Sequence, residues 1–388
     1  MTRTTDNVWL GRFALVTAAS TLALICFGGL VTSHGAGMAV PDWPNTFGQN
    51  LFFFPASKWV GGIFYEHTHR LVASGVGFLT TILAVWLWMR EPRRWLRWLG
   101  VIAFLGVVLQ GVLGGLRVVL FKDEIGIFHA ALGQMFFVVT CSIALFTSRW
   151  WRNAPSLDST LADSGGLRLL LLFTTVLIFA QLILGATMRH QHAGLAIPDF
   201  PAAYGRLWPA LDADAIARYN QSRLEVNAAN PITAFQIVLQ MVHRLLAAAI
   251  LVLVVACAWQ ARRRVGPRHP IARLSGAWVG LIAIQVFLGA ATIWTGKSAD
   301  IATAHVAVGA LSLMTGAMLV ILACRCLAAA ERELAGTDLR TDHEPTPSPS
   351  GGGEPAVGRA CAVPAHETRS SGRKSAHFER NQSRLLRK

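Results

Sequence analysis

Runs of about twenty apolar residues alternate with short polar stretches along most of the chain. Eight of these runs are long enough to cross a hydrocarbon core of about 30 Å. The pattern predicts spans at about 13–33, 64–89, 97–118, 127–148, 167–187, 233–258, 273–294 and 301–328. The polar N-terminus leads into the first run with no small-residue cleavage site, so that run reads as a retained span. Beyond about 329 the apolar periodicity stops. Pro345 to Gly353 is rich in Pro, Ser and Gly, and the remainder predicts a disordered tail over 331–388.

Composition agrees with that pattern: 53% of the 388 residues are hydrophobic and 14% charged, far from a soluble domain. The formal charge of +14 raises the question of nucleic acid. Its arginines answer it, because they lie between hydrophobic runs rather than along one face. Arg90, Arg93, Arg94 and Arg97 separate spans two and three, Arg149 and Arg152 follow span four, and Arg262, Arg263, Arg264, Arg268 and Arg273 separate spans six and seven. The opposite loops carry few cations or balance them with acids. Both termini are therefore expected in the cytoplasm and the two long loops on the external, periplasmic side of an inner membrane. The six cysteines lie in apolar runs or the tail and predict no disulfide framework and no metal-type CxxC.

The halves repeat. Gly37-Met38-Ala39-Val40-Pro41-Asp42-Trp43-Pro44 follows span one, and Gly194-Leu195-Ala196-Ile197-Pro198-Asp199-Phe200-Pro201 follows span five, with Gly48 and Gly205 at the same offset. Four spans per half give both halves one orientation. The expected fold is an all-α membrane protein of eight transmembrane helices, two four-helix bundles forming a parallel repeat. Its divisions are an N-terminal half over 1–160, a C-terminal half over 161–330 and the tail. The Pro-Asp-aromatic-Pro element reads either as a rigid turn at the membrane surface or as part of a site.

Polar groups inside such spans are expensive and point to function. Of twelve histidines, His69, His129, His243 and His305 lie one each on spans two, four, six and eight, in the outer part of each. One buried imidazole is readily explained by a bond to a neighbouring helix; four at equivalent positions are not. Two imidazoles on facing helices make a good axial pair for haem iron. Gly133 and Gly309 each follow a histidine by four residues and leave a bare spot on that helix face, for a flat macrocycle or for close packing. Arg70 and Arg244 directly follow His69 and His243 and suit pairing with haem propionates.

Glu66-His67-Thr68-His69-Arg70 in the first half has the echo Gln240-Met241-Val242-His243-Arg244 in the second. A carboxylate at Glu66, three residues before His69, can take protons and stabilise positive charge; Gln240 can do neither. The first half thus reads as catalytic and the second as a passive haem site. A single Glu-x-x-His without further glutamates in the spans does not make a di-iron carboxylate centre. Gln110/Gly114, Gln181/Gly185 and Gln285/Gly289, each pair four apart near the outer ends of spans three, five and seven, either line the pockets or pack the bundle.

At these residues the chain resembles the haem A synthase family, over roughly 10–328. The resemblance implies oxidation of a haem O methyl group to the formyl of haem A through successive hydroxylations. It implies His69 and His129 flanking the haem O substrate, Glu66 as the catalytic carboxylate, and His243 and His305 ligating a haem b cofactor that takes the electrons. A haem O synthase and a haem–copper terminal oxidase are the implied functional partners, with membrane lipid around the chain and no nucleic acid; a homo-oligomer is open. Some members carry a cysteine pair in the first external loop, and here 34–63 has none. His67 has no evident task beyond a supporting or spare role. The alternative is a di-haem membrane cytochrome that oxidises quinol without modifying haem. Its ligands are expected in pairs on single helices at two depths, unlike the pattern here.

Overall fold

The structure, a computed structural model, describes residues 7–153, 165–222 and 231–341. Ten α-helices cover most of them. The first is α1 (Val8–Ser33), started by Asn7, whose side chain accepts from Leu10 N–H. Next come α2 (Gly62–Arg90), α3 (Arg94–Val119), α4 (Asp123–Thr147) and the short α5 (Arg149–Asn153). The second group is α6 (Gly165–His190), a nine-residue α7 (Ala213–Gln221), α8 (Ala234–Val265), α9 (Pro270–Trp294) and α10 (Ala299–Thr341). A capping box of Thr233 and Gln236 opens α8, and a proline in the first turn opens α9.

All eight expected spans are present; the eight helices other than α5 and α7 are long and apolar enough to cross a membrane. Most extend beyond the apolar run at one end or both. A backbone leaving the hydrocarbon region keeps its hydrogen bonds by continuing the helix. For the same reason α10 continues past the expected end near 328 to Thr341. The rest of the segment read as a tail, 342–388, lies outside the described residues. Among those residues there is no β-strand, only the isolated bridges Thr46–Gln49 and Ala203–Arg206.

Helix α1 packs on α2 and α4, and α3 packs on the same two, so α2 and α4 face each other across a closed ring. Leu10, Ala14, Val76, Leu83, Leu87, Leu96, Ala103, Phe136 and Ile143 fill it. Helix α8 packs on α6 and α9, and a second core joins these to α10 through Ile178, Val254, Trp278 and Leu319. Helix α4 packs on α6 and brings the two groups together. Outward faces carry exposed Phe78, Leu105, Phe173, Val252 and Phe287, as lipid demands. Many hydroxyls within the helices, such as those of Thr80 and Thr174, donate to the carbonyl four residues back.

Candidate functional site

Each long loop is folded by its own aspartate. Asp42 accepts from Phe47 N–H (2.8 Å) and Gly48 N–H (2.7 Å), and Asp199 accepts from Tyr204 N–H (2.7 Å) and Gly205 N–H (2.8 Å). In both loops the two residues concerned have positive φ, which a glycine at 48 and 205 accommodates. Burial works against ionisation of Asp42, but the Gly48 and Phe47 N–H bonds and the nearby Arg70 outweigh it. Its carboxyl is held below the usual 3.8. The Pro-Asp-aromatic-Pro element is thus a rigid turn, built twice.

The helix beneath ties each turn down. Glu66, 4% exposed, accepts from Val40 N–H at 2.8 Å through Oε2 and from Arg70 Nη2 at 2.7 Å through Oε1. Gln240 accepts from Ile197 N–H at 2.7 Å in the matching place. Arg70 also donates to the carbonyls of Val40, Asp42 and Asn45, and Arg244 donates to those of Asp199 and Ala202. These arginines, expected beside propionates, hold loop backbone. His67 is fully buried; its Nδ1 lies 3.2 Å from Thr46 Oγ1, and its ring sits between Phe54 and Trp59. It supports the first turn, and Met241 and Ala203 replace that pair in the second half.

The four histidines share one arrangement. An added Cβ on Gly28, Gly114, Gly185 or Gly289 would meet Cε1 of His69 (3.2 Å), His129 (3.3 Å), His243 (3.4 Å) or His305 (3.2 Å) respectively. Each imidazole on an even-numbered span is therefore seated against a glycine of the span before it. The glutamines keep the histidine helices in place. Gln110 donates to the carbonyl of His129 (3.0 Å), Gln181 donates to that of His243 (2.9 Å), and Gln285 lies 3.4 Å from Nε2 of His305. On α1 the corresponding residue is Leu24, so sequence matching on glutamine misses the Gly28 seat.

Gly133 and Gly309 do not face open space. A Cβ on the first would meet Gln110 (3.5 Å), and one on the second would meet Leu182 (2.9 Å) and Gln285 (3.2 Å). They make room for packing, not for a macrocycle. Three residues escaped the sequence reading. Arg117, at the end of α3, lies against Gly37, where a Cβ would come within 2.7 Å of Nη2. Arg189, at the end of α6, donates to Gly29 O (2.9 Å) and Ser33 Oγ (2.7 Å) on α1. His190 lies against Gly126, one turn before His129. Their signal is position: each lies in the last turn of its span, at the end that carries the imidazoles.

The Nδ1 atoms of His69, His129, His243 and His305 are buried without a hydrogen-bond partner among the described residues. An unsatisfied buried group costs about 1–3 kcal/mol, and the same cost recurs at all four positions, so these imidazoles are not there to bond their neighbours. His69 and His129 are within electrostatic reach of each other, as are His243 and His305. No three or more His, Cys, Asp or Glu converge among the described residues. Two imidazoles alone are too few for a bare metal ion but suffice as axial ligands to iron already held by a macrocycle. The residues present fit a haem in each half.

Fold and site together define a multi-pass, all-helical membrane protein with two pairs of inward-facing imidazoles beneath tied-down loops. The family model described as cytochrome oxidase assembly protein (COX15-CtaA) matches residues 11–317. The chain belongs to this family, whose curated relatives carry the name haem A synthase. The haem A synthase of Rhizorhabdus wittichii is 28% identical over 349 residues, 78% of this chain and 91% of that one. That of Geobacillus kaustophilus is 27% identical over 305 residues, 76% and 84% of the two chains. That of Shouchella clausii is 29% identical over 211 residues, 53% and 68%.

Proposed function

We propose that this chain is a haem A synthase that works as an oxidoreductase in the membrane, converting the haem O methyl group to the formyl of haem A by successive hydroxylations. The observation that carries the reading is the fourfold glycine-seated imidazole in a chain of this family. His69 and His129 hold the haem O substrate between α2 and α4. His243 and His305 hold haem b, which when bound supplies one-electron chemistry for the electrons removed from the substrate. A haem O synthase upstream and a haem–copper oxidase downstream are the functional partners. The two halves are parallel repeats with their sites toward the external side. The quinol-oxidising di-haem cytochrome is not favoured, because the curated relatives carry the synthase name.

Glu66 is the proposed catalytic carboxylate, and its surroundings define its test. Both oxygens are engaged, one by Val40 N–H and one by Arg70. Its second-half counterpart shows that an amide oxygen accepts the same backbone bond. Glu66→Gln should therefore keep the turn and the bound haem while removing the charge that accepts protons at the substrate edge. Pigment extracted from cells expressing this variant with a haem O synthase should contain haem O and no haem A. Haem A at the unsubstituted level would remove Glu66 from the chemistry. A chain yielding neither haem A nor a hydroxylated intermediate when unsubstituted would end the synthase reading.

A further inference from the structure

A haem carries two carboxylates on one edge, and in an apolar bundle these require cations. The arginines that sequence points to, Arg70 and Arg244, already donate to Val40, Asp42 and Asn45 or to Asp199 and Ala202. Two other arginines stand on the helix faces that carry the histidine seats. Arg189 follows Gly185, the seat of His243, by four residues, and Arg117 follows Gly114, the seat of His129, by three. Both spacings put the arginine on the same helix face as the seat, one turn of about 5.4 Å nearer the external end.

Local packing aims these side chains. Gly37 has no Cβ where the Arg117 guanidinium lies, and Gly126 is bare beside Arg117 Nε (3.1 Å from the Cβ position). Both bonds of Arg189 use Nη2; among the described residues Nε and Nη1 have no acceptor and no carboxylate pairs with this cation. Its bond to Ser33 Oγ leads to Thr303 Oγ1 (3.4 Å), two residues before His305, so Arg189 lies within about a turn of the second pair of imidazoles.

We propose that Arg117 in the first half and Arg189 in the second are the residues that hold the tetrapyrrole carboxylates, with Arg70 and Arg244 serving the loops. This rests on the haem reading above and goes beyond it in assigning the anion-binding residues. A charge-assisted bond of this type is worth about 1.5–3 kcal/mol, or roughly a 10- to 150-fold change in affinity.

The test reconstitutes the detergent-solubilised full chain with iron protoporphyrin IX and, separately, with its dimethyl ester, which lacks the charges. Each site is read alone after alanine replaces both imidazoles of the other, using low-spin absorbance and the dissociation constant. The chain with arginines intact should prefer the free acid at least tenfold at both sites. Arg189→Gln should abolish that preference at the second site and Arg117→Gln at the first, while Arg189→Lys and Arg117→Lys retain most of it. An unchanged preference in both glutamine variants overturns the assignment while leaving the haem reading intact. Loss of preference in the lysine variants equal to that in the glutamine variants also overturns it, since the effect is then on packing and not charge. Absence of low-spin haem at both sites of the unsubstituted chain overturns the haem reading itself.

Discussion

Placing alanine at Gly289 brings a methyl group to 3.2 Å from His305 Cε1, closer than ordinary contact, whereas at Gly185 the distance to His243 is 3.4 Å. An imidazole pushed by a few tenths of an ångström no longer points its nitrogen along the same axis. Gly289→Ala should therefore lower low-spin haem per mole of purified protein more than Gly185→Ala, and equal losses would show that the seats do not set ring direction. His243→Ala should remove the bis-imidazole spectrum of haem b altogether; a spectrum unchanged from the unsubstituted chain would mean other ligands. The four histidines were legible in sequence because depth in a span is readable from hydropathy. Arg70 and Arg244 were not, because a bond to a backbone carbonyl leaves no mark on the residue that accepts it. Arg189 lies past the span read at 167–187 for a related reason: its helix runs beyond the apolar stretch to His190.

The repeated turn shows how two copies of one element diverge. Trp43 packs on Gly115, where a Cβ would lie 2.3 Å from the indole. In the second half the corresponding residues are Phe200 and Ala290, a smaller ring opposite a larger side chain. Gly115→Ala should destabilise the first half by about 1–3 kcal/mol through overpacking, and adding Trp43→Phe should restore most of the loss in thermal unfolding. No rescue would mean that the swap is incidental. The turn also has a defined response to acid. The folded carboxyl of Asp42 is depressed, so its contribution is fully present above the unfolded value near 3.8 and fades only as pH falls through the lower folded one. Proteolysis within 42–48 should be flat between about pH 5 and 8 and rise only below about pH 4; a rise near neutrality would point to a different titrating group.

For the molecule as a whole, arginine placement predicts sidedness. Reporter fusions at Pro92 and Pro267 should be active only as cytoplasmic reporters and one at Leu207 only as an external reporter; the reverse pattern would invert the proposed topology. Eight spans, their order and the two long loops could be read from hydropathy alone, since each span must be apolar over a fixed length. How the groups of four meet could not. That meeting rests on α4 against α6, where hydropathy does not tell a helix-facing surface from a lipid-facing one, and on the polar reach of Arg189 to Gly29 and Ser33 of α1. The tied-down turns have one more consequence. Val40 and Thr46 are fully buried and held by Glu66, Arg70 and His67, so the first turn is fixed as a cap over the loop-side end of the first bundle. Such a cap predicts entry from the side, between helices and through the bilayer. Encounter with an apolar substrate then becomes a search in two dimensions, and turnover should track the number of substrate molecules per lipid, not per litre.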